Sequence, residues 1–280
     1  MSLGVMLAVL CAAFLNAAWN TSVKAVPDKF LAVCLICFGA AVVSLPFALV
    51  LPSIDAAAYP FIAVSTLFQV AYYLLLHRAY RTADLSMAYP LMRGSAPLVT
   101  MLLAFLLLGE APKMLSIGGA VLILSGIVWL ARSGIKAGGL DRPTLMAVAS
   151  NAVVIAGYSL ADGQGGRQSG QPVAYTLWAI VCVGLAFLPV ALYYRGPVFV
   201  RHLRYEWRFA LIGGAASTLA YGIVIWAMSH APIGLVSATR ETSALFAAVM
   251  GAVLLKEKFG FSRYIAAGLV VGGLAVMRLA

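Results

Sequence analysis

Long apolar blocks alternate along the chain with short polar punctuation at Pro27-Asp28, Pro52-Ser53, Arg81-Thr82-Ala83-Asp84, Glu110-Ala111-Pro112, Ser133 to Pro143, Asp162 to Pro172, Gly196-Pro197 and Ala231-Pro232. The pattern predicts ten helical spans at residues 3–23, 30–50, 59–80, 86–108, 114–131, 143–161, 172–194, 208–229, 233–255 and 262–279. A helix needs about 20 apolar residues to cross a hydrocarbon core, and these blocks are of that order. A membrane barrel would show short alternating strands instead, and the sequence has none of that character.

The pattern repeats without a gap at an offset of 147 residues. Arg93 meets Arg240, Leu98 meets Leu245, Leu107 and Leu108 meet Leu254 and Leu255, Glu110 meets Glu257, and Gly126 meets Gly273. Leucine and glycine coincidences are cheap in an apolar chain, but arginines inside spans are rare, so the charged pairs carry the repeat. Residues 1–132 read as one five-helix unit, 133–142 as a linker and 143–280 as the second unit. Five helices are an odd number, so the second unit enters the bilayer from the opposite face. Arg93 and Arg240 then lie about 10–12 Å along their helices from opposite faces, flanking the midplane.

Composition agrees: 63% of the 280 residues are hydrophobic and 10% are charged, far from a soluble domain. The net charge of +10 comes with no nucleic-acid-binding motif, and the basic residues cluster at span ends. Loops after odd-numbered spans hold 14 of the 19 lysines and arginines, and loops after even spans with the tail hold 3. The positive-inside rule therefore places the odd loops in the cytoplasm and both termini outside. The four cysteines lie in apolar segments, so Cys34 and Cys37 read as helix surface rather than a redox pair. The first span has no basic leader and no cleavage site, and reads as a retained helix.

Charged groups at bilayer depth are functional by default. Around Arg93, the run Tyr89-Pro90-Leu-Met-Arg93-Gly94-Ser95-Ala-Pro97 predicts a broken helix with carbonyls exposed to a ligand. In the ninth span, Ser237, Arg240 and Glu241 share one face at helical spacing, with Glu241 as a local counter-ion or proton site for Arg240. Trp19, Asn20 and Lys24 end the first span, and Tyr158 lies in the sixth. Gln69, Tyr72, Tyr73 and His77 in the third span, with Tyr221 and Trp226 in the eighth, offer a polar and aromatic wall, although each alone reads equally as packing. The stretch from Asp162 to Arg167 is glycine-rich but lacks the Gly-Lys-Ser/Thr ending of a phosphate loop. Gly268 and Gly272 predict a close helix contact. Glu110 and Glu257 read as charged helix ends. His77, His202 and His230 are scattered, and neither a metal cluster nor a nucleophile with its base recurs, so an enzyme is not expected.

Taken in order, these residues resemble the EamA family of the drug/metabolite transporter superfamily: Trp19-Asn20 with Lys24, Tyr89-Pro90 through Arg93-Gly94 to Pro97, Gly109-Glu110 before a glycine-rich fifth helix, and their echo at Glu257 and Gly268 to Gly273. The resemblance implies a secondary transporter, often an exporter of amino acids or related metabolites, with a central cavity between halves. It also implies cytoplasmic termini, opposite to the lysine and arginine count. The combined reading is an all-α polytopic protein of a bacterial inner membrane, ten helices in two inverted repeats, exporting a small polar or zwitterionic metabolite by alternating access. Expected substrate-binding residues are Trp19, Asn20, Tyr72, Tyr89, Arg93, Tyr158, Trp226, Arg240 and Glu241. Expected partners are the substrate, a coupling proton, the bilayer and a second copy in a homodimer, with no cofactor, metal or nucleic acid. The competing readings are a lipid-substrate flippase, a multidrug exporter and, last, a membrane-embedded enzyme.

Overall fold

A computed structural model describes residues 1–24, 26–82, 85–131, 142–254 and 261–279, with side chains except at 24, 76–82, 85–92, 130–131, 143–145, 251–252, 254 and 261–263. Helices are the rule among them: α1 (Leu3–Lys24), α2 (Lys29–Val50), a 3-10 turn (Ala56–Ala58), α3 (Tyr59–Thr82), α4 (Leu85–Leu108), α5 (Met114–Ala131), α6 (Arg142–Gln168), α7 (Pro172–Tyr205), α8 (Trp207–Met228), α9 (Ile233–Arg240), α10 (Ser243–Leu254) and α11 (Phe261–Leu279). No strand occurs among the described residues. By length and composition, Leu3–Val23, Lys29–Val50, Ala56–Leu75, Pro172–Tyr205 and Trp207–Met228 suffice to cross a membrane. Arg93–Leu108, Met114–Trp129 and Tyr264–Leu279 are shorter apolar stretches. This is a multi-pass membrane protein.

Three boundaries depart from expectation, each for a local reason. The sixth helix runs to Gln168, because its glycines are packed inside a helix rather than placed in a loop. The seventh bends at Gly196, whose φ of 40° and ψ of −122° interrupt a helix that resumes at Pro197. That left-handed φ suits glycine, which has no Cβ to clash. The ninth predicted span is two helices, α9 and α10, joined by a turn at Glu241–Thr242. There the ladder tightens to three-residue spacing, Glu241 N–H donating to Ala238 O and Thr242 N–H to Thr239 O at 3.2 and 3.1 Å.

Packing follows the repeat. α2 lies on α7 and α5 on α11, each helix against its own counterpart. The other principal contacts come in exchanged pairs: α3 on α6 matches α1 on α8, α3 on α7 matches α2 on α8, and α4 on α6 matches α1 on α9 and α10. This exchange weaves the halves together instead of leaving two separate bundles.

Close approach is set by glycine at several crossings. A Cβ on Gly119 would lie 2.6 Å from Gly273 O, and one on Gly273 would lie 2.5 Å from Gly119 O, so α5 and α11 touch backbone to backbone. Without a water-driven hydrophobic effect between membrane helices, such contacts are a main source of cohesion. Gly268 and Gly272, expected to make a close helix contact, instead face open space, with nothing within 4 Å of a built Cβ. The contact uses the adjacent face of α11.

Candidate functional site

Arg93 of α4 and Arg240 of α9 converge on one carboxylate. Arg93 donates from Nε to Glu241 Oε2 at 2.8 Å and from Nη2 to Oε1 at 3.0 Å, the fork geometry of a charge-assisted pair. Arg240 donates to Glu241 Oε1 from Nε at 3.4 Å and Nη2 at 3.3 Å. The side chains are 13%, 6% and 1% exposed for Arg93, Arg240 and Glu241. An ion so deeply withdrawn from water is tolerable only when its partners replace the lost hydration. Glu241 sits at the turn between α9 and α10, which aims its side chain at Arg93 across the boundary between halves.

The arginines form part of the wall of a cavity of about 130 Å³. A water takes about 10–15 Å³ on this measure, so the space holds roughly ten waters. Asn16, Trp19 and Asn20 on α1, Gln69, Tyr72 and Tyr73 on α3, Tyr158 on α6, and Ser217 and Tyr221 on α8 add to its polar and aromatic lining. The Tyr72 ring meets those of Tyr73 and Tyr158 at 5.3 and 6.1 Å, which fixes one wall as an aromatic block. The lining draws on both halves and reaches the α1 end that precedes Asp28.

A second buried carboxylate lies beside the cavity. Asp162 is 0% exposed. Tyr175 OH donates to its Oδ1 at 3.0 Å, Gln69 Nε2 donates to Oδ2 at 3.3 Å, and Tyr221 OH also donates to Oδ2. The neighbouring glycines make this arrangement possible: a Cβ on Gly165 would stand 2.5 Å from the Tyr175 ring, and one on Gly163 would overlap Ile233. The glycine-rich stretch is therefore a helix end cut to fit its neighbours.

Ion pairs also tie the helix ends. Glu110, after α4, accepts the Ile233 N–H that opens α9 at 2.8 Å and pairs with Arg167 Nη1 at 2.6 Å. Arg167 donates further to Met228 O at 2.8 Å and Ala231 O at 3.0 Å, so one carboxylate and one guanidinium fasten α4, α6, α8 and α9 together. Beyond the start of α2, Asp28 accepts the Leu31 N–H at 3.0 Å and pairs with Arg195 Nε at 2.8 Å. Partial burial raises the Asp28 pKa, but the bonds from Arg195 and Leu31 outweigh it and hold the group below the usual carboxylate range.

Of the residues expected at the site, Trp19, Asn20, Tyr72, Arg93, Tyr158 and Arg240 line the cavity, and Glu241 lies behind it, joining the arginines. Trp226 is not among the lining residues; it packs with the core near the α8 end and stacks on His230 at 4.6 Å. The side chains of Tyr89, Lys24 and His77, and all of Glu257, lie outside the described residues. The expected break in α4 is absent: the helix is continuous through Pro90 and Pro97, and the interruption falls in its counterpart at Glu241. Proline at these positions deletes donors without forcing the helix apart, whereas Glu241 must leave the helical path to meet Arg93. Asp162, named only within its glycine-rich stretch, and Tyr175 were not among the expected site residues. The signal for Asp162 was a lone acid between apolar runs, masked by ending the sixth span at residue 161.

Comparison with known proteins agrees with this architecture. A solved crystal structure is similar over 100% of this chain and 98% of its own, with a TM-score of 0.75 at 21% identity, which shows the fold. No curated protein matches the chain. The model of the EamA-like transporter family matches residues 2–132 and again 143–279, so two copies of its unit account for nearly every residue. With that match spanning both helical units, the chain belongs to the EamA-like transporter family, within the drug/metabolite transporter superfamily, and is a membrane transporter.

Proposed function

We propose that this protein is a secondary transporter of a small polar or zwitterionic metabolite, of amino-acid size, working by alternating access of two inverted five-helix repeats, residues 1–132 and 143–280. The observation that carries the reading is the cavity between the halves, whose wall includes the two repeat-related arginines. Arg93 and Arg240 offer positive potential to a carboxylate, the asparagines and Gln69 offer donors and acceptors, and Trp19, Tyr72 and Tyr158 supply faces for an ammonium or an apolar side chain. Because Glu241 is shared by an arginine from each half, any rocking of one half against the other must stretch or exchange its bonds. That makes the triad a hinge point as well as a charge reservoir.

In this reading the chain crosses a bacterial inner membrane ten times, α9 and α10 together making the ninth crossing. The distribution of lysine and arginine places the termini outside. In this reading an ion or substrate gradient drives the solute.

The test is counterflow exchange in proteoliposomes loaded with each standard amino acid in turn. Exchange of at least one amino acid, lost in Arg240→Gln, is the expected result. Arg240→Gln protein that exchanges at the full rate, or wild-type protein that exchanges none of the panel, overturns the reading.

A further inference from the structure

Among the described residues two carboxylates are buried, Glu241 and Asp162, and their partners differ in kind. Glu241 is bonded by two guanidiniums, which have only donors. A proton on Glu241 would leave two buried cations facing a neutral group. Asp162 is held by two phenol hydroxyls and a carboxamide, and has no ion pair among the described residues. A phenol oxygen donates or accepts as its hydrogen rotates, and a carboxamide presents either its NH₂ or its oxygen. The groups around Asp162 therefore offer donors to a carboxylate and, by rotation of a hydroxyl, an acceptor to a carboxylic acid, which the guanidiniums around Glu241 cannot do.

The surroundings reinforce this distinction. Of the elements packed against α6, α3 brings Gln69 and Ser65, α7 brings Tyr175, α8 brings Tyr221, α4 brings Arg93 and α9 brings Arg240. The 3-10 turn brings Asp55, an exposed residue that caps that turn through Ala57 N–H. On α6 itself, Tyr158 faces the cavity and Arg167 is committed to Glu110. Gln69 and Tyr221 both touch Asp162 and line the cavity, so a hydrogen-bonded route leads from the cavity to the carboxylate.

Interior charge then links the proton to the solute. Counting only these four described groups, Arg93 and Arg240 are balanced by Glu241 and Asp162 when Asp162 is ionised, and protonating Asp162 leaves them with one uncompensated positive charge beside the cavity wall. We propose that Asp162 is the proton-binding site of this transporter, and that its protonation is coupled to capture of an anionic substrate group by Arg93 and Arg240. The coupling part rests on the transport reading above. The proton occupies the carboxylate oxygen and leaves by the same route, with no other bond made or broken. Linkage requires the converse: an anion in the cavity strengthens proton binding by the same factor.

The proton itself is the first probe and acetate, the simplest carboxylate, is the second. Infrared titration of the full-length protein in detergent reads the C=O stretch of a buried carboxylic acid as pH falls. Wild-type protein is expected to show this band, Asp162→Asn to lack it, and acetate to move its midpoint to higher pH in wild type but not in Arg240→Gln. A band that survives in Asp162→Asn, or a midpoint that acetate leaves in place, overturns the proposal. Should Asp162→Asn fail to fold, Tyr221→Phe takes its place: loss of the cavity-side donor must shift the midpoint, and an unmoved midpoint is equally fatal. The titration needs no transport, so failed amino-acid exchange with a titrating band sinks only the transport reading, and exchange without the band sinks only the proton site.

Discussion

The helices α4 and α9–α10 are one element written twice, 147 residues apart, yet the copy with the helix breakers is the intact one. α4 carries Pro90, Gly94 and Pro97 and stays helical; the run from Ile233 to Leu254 contains no proline and is interrupted at Glu241. The difference lies in what occupies the same repeat position, Gly94 in one copy and Glu241 in the other. The break follows the demand of a buried side chain for its partners rather than the backbone propensity of its residues. The two repeat-related arginines meet at Glu241, and that acid, carried by one copy and not the other, makes their meeting asymmetric.

Removing that acid is the most damaging way to test the comparison. Glu241→Ala leaves two buried guanidiniums without their shared anion and is expected to cost about 3–5 kcal/mol, seen as a large loss of thermal stability and folded yield in detergent. Its counterpart, Gly94→Ala, adds a Cβ whose neighbours, Ile127 Cγ2 and Val128 Cγ2, lie at ordinary distances of 3.6 and 3.7 Å. In a continuous helix that change is expected to be neutral or to stabilise by about 0.5–1 kcal/mol. Equal sensitivity at the two positions would mean that the acid has no special standing.

The arginines sharpen the contrast at smaller scale. Arg93 makes two good bonds to Glu241, at 2.8 and 3.0 Å, whereas those from Arg240 are 3.3 and 3.4 Å. Arg93→Gln is therefore expected to lower stability by about 3 kcal/mol and Arg240→Gln by about 1–2 kcal/mol, read from denaturation midpoints of the purified proteins. The reverse order would show that the 3.3 and 3.4 Å contacts hold the carboxylate more firmly than their lengths imply.

The span positions were legible because apolar runs and proline or glycine punctuation are local properties, and nearly all helix ends fall within a few residues of expectation. The repeat was legible from Arg93 and Arg240, whose rarity in spans makes coincidence improbable. That both would grip Glu241 was not, because the meeting depends on helix packing between the halves and not on any spacing along the chain. Asp162 was lost to a single assumption: glycines read as loop punctuation ended its helix early, when Gly165 is there to admit the ring of Tyr175. Trp226 was expected at the site on its residue type alone, and the structure places it outside the cavity lining, packed on His230 near a helix end.

A third asymmetry lies at the helix ends. Arg167 fastens Glu110 to the turn between α8 and α9, and its repeat counterpart is Asn20, a residue of the cavity lining that carries no charge. Arg167→Asn copies the other half into this one. With the guanidinium 29% exposed, the loss is expected to be about 1–2 kcal/mol, concentrated locally. Amide hydrogen exchange should quicken at residues 229–231 and at Ile233, and stay unchanged in the α5–α11 pair. Protection that stays the same in the turn would show that the ion pair is not what closes that end.

The smallest effect belongs to Asp28, whose repeat counterpart is Tyr175. One caps a helix at the rim and the other holds the buried Asp162, so a shared position has been put to a surface use and an interior one. Arg195 and the Leu31 N–H depress the Asp28 pKa against the opposing pull of partial burial. A depressed folded pKa means stability that is present above the unfolded value of about 3.9 and lost as pH falls through the folded one. The side chain is 39% exposed, so screening limits the contribution to about 1 kcal/mol or less. Asp28→Asn keeps a capping oxygen but surrenders the charge, so at neutral pH it should be slightly less stable than wild type. That gap should close below about pH 4 as the wild-type carboxyl takes up its proton. Parallel denaturation curves for the two proteins across that range check the sign, and a gap that widens with acid would place the stabilising charge elsewhere on the rim.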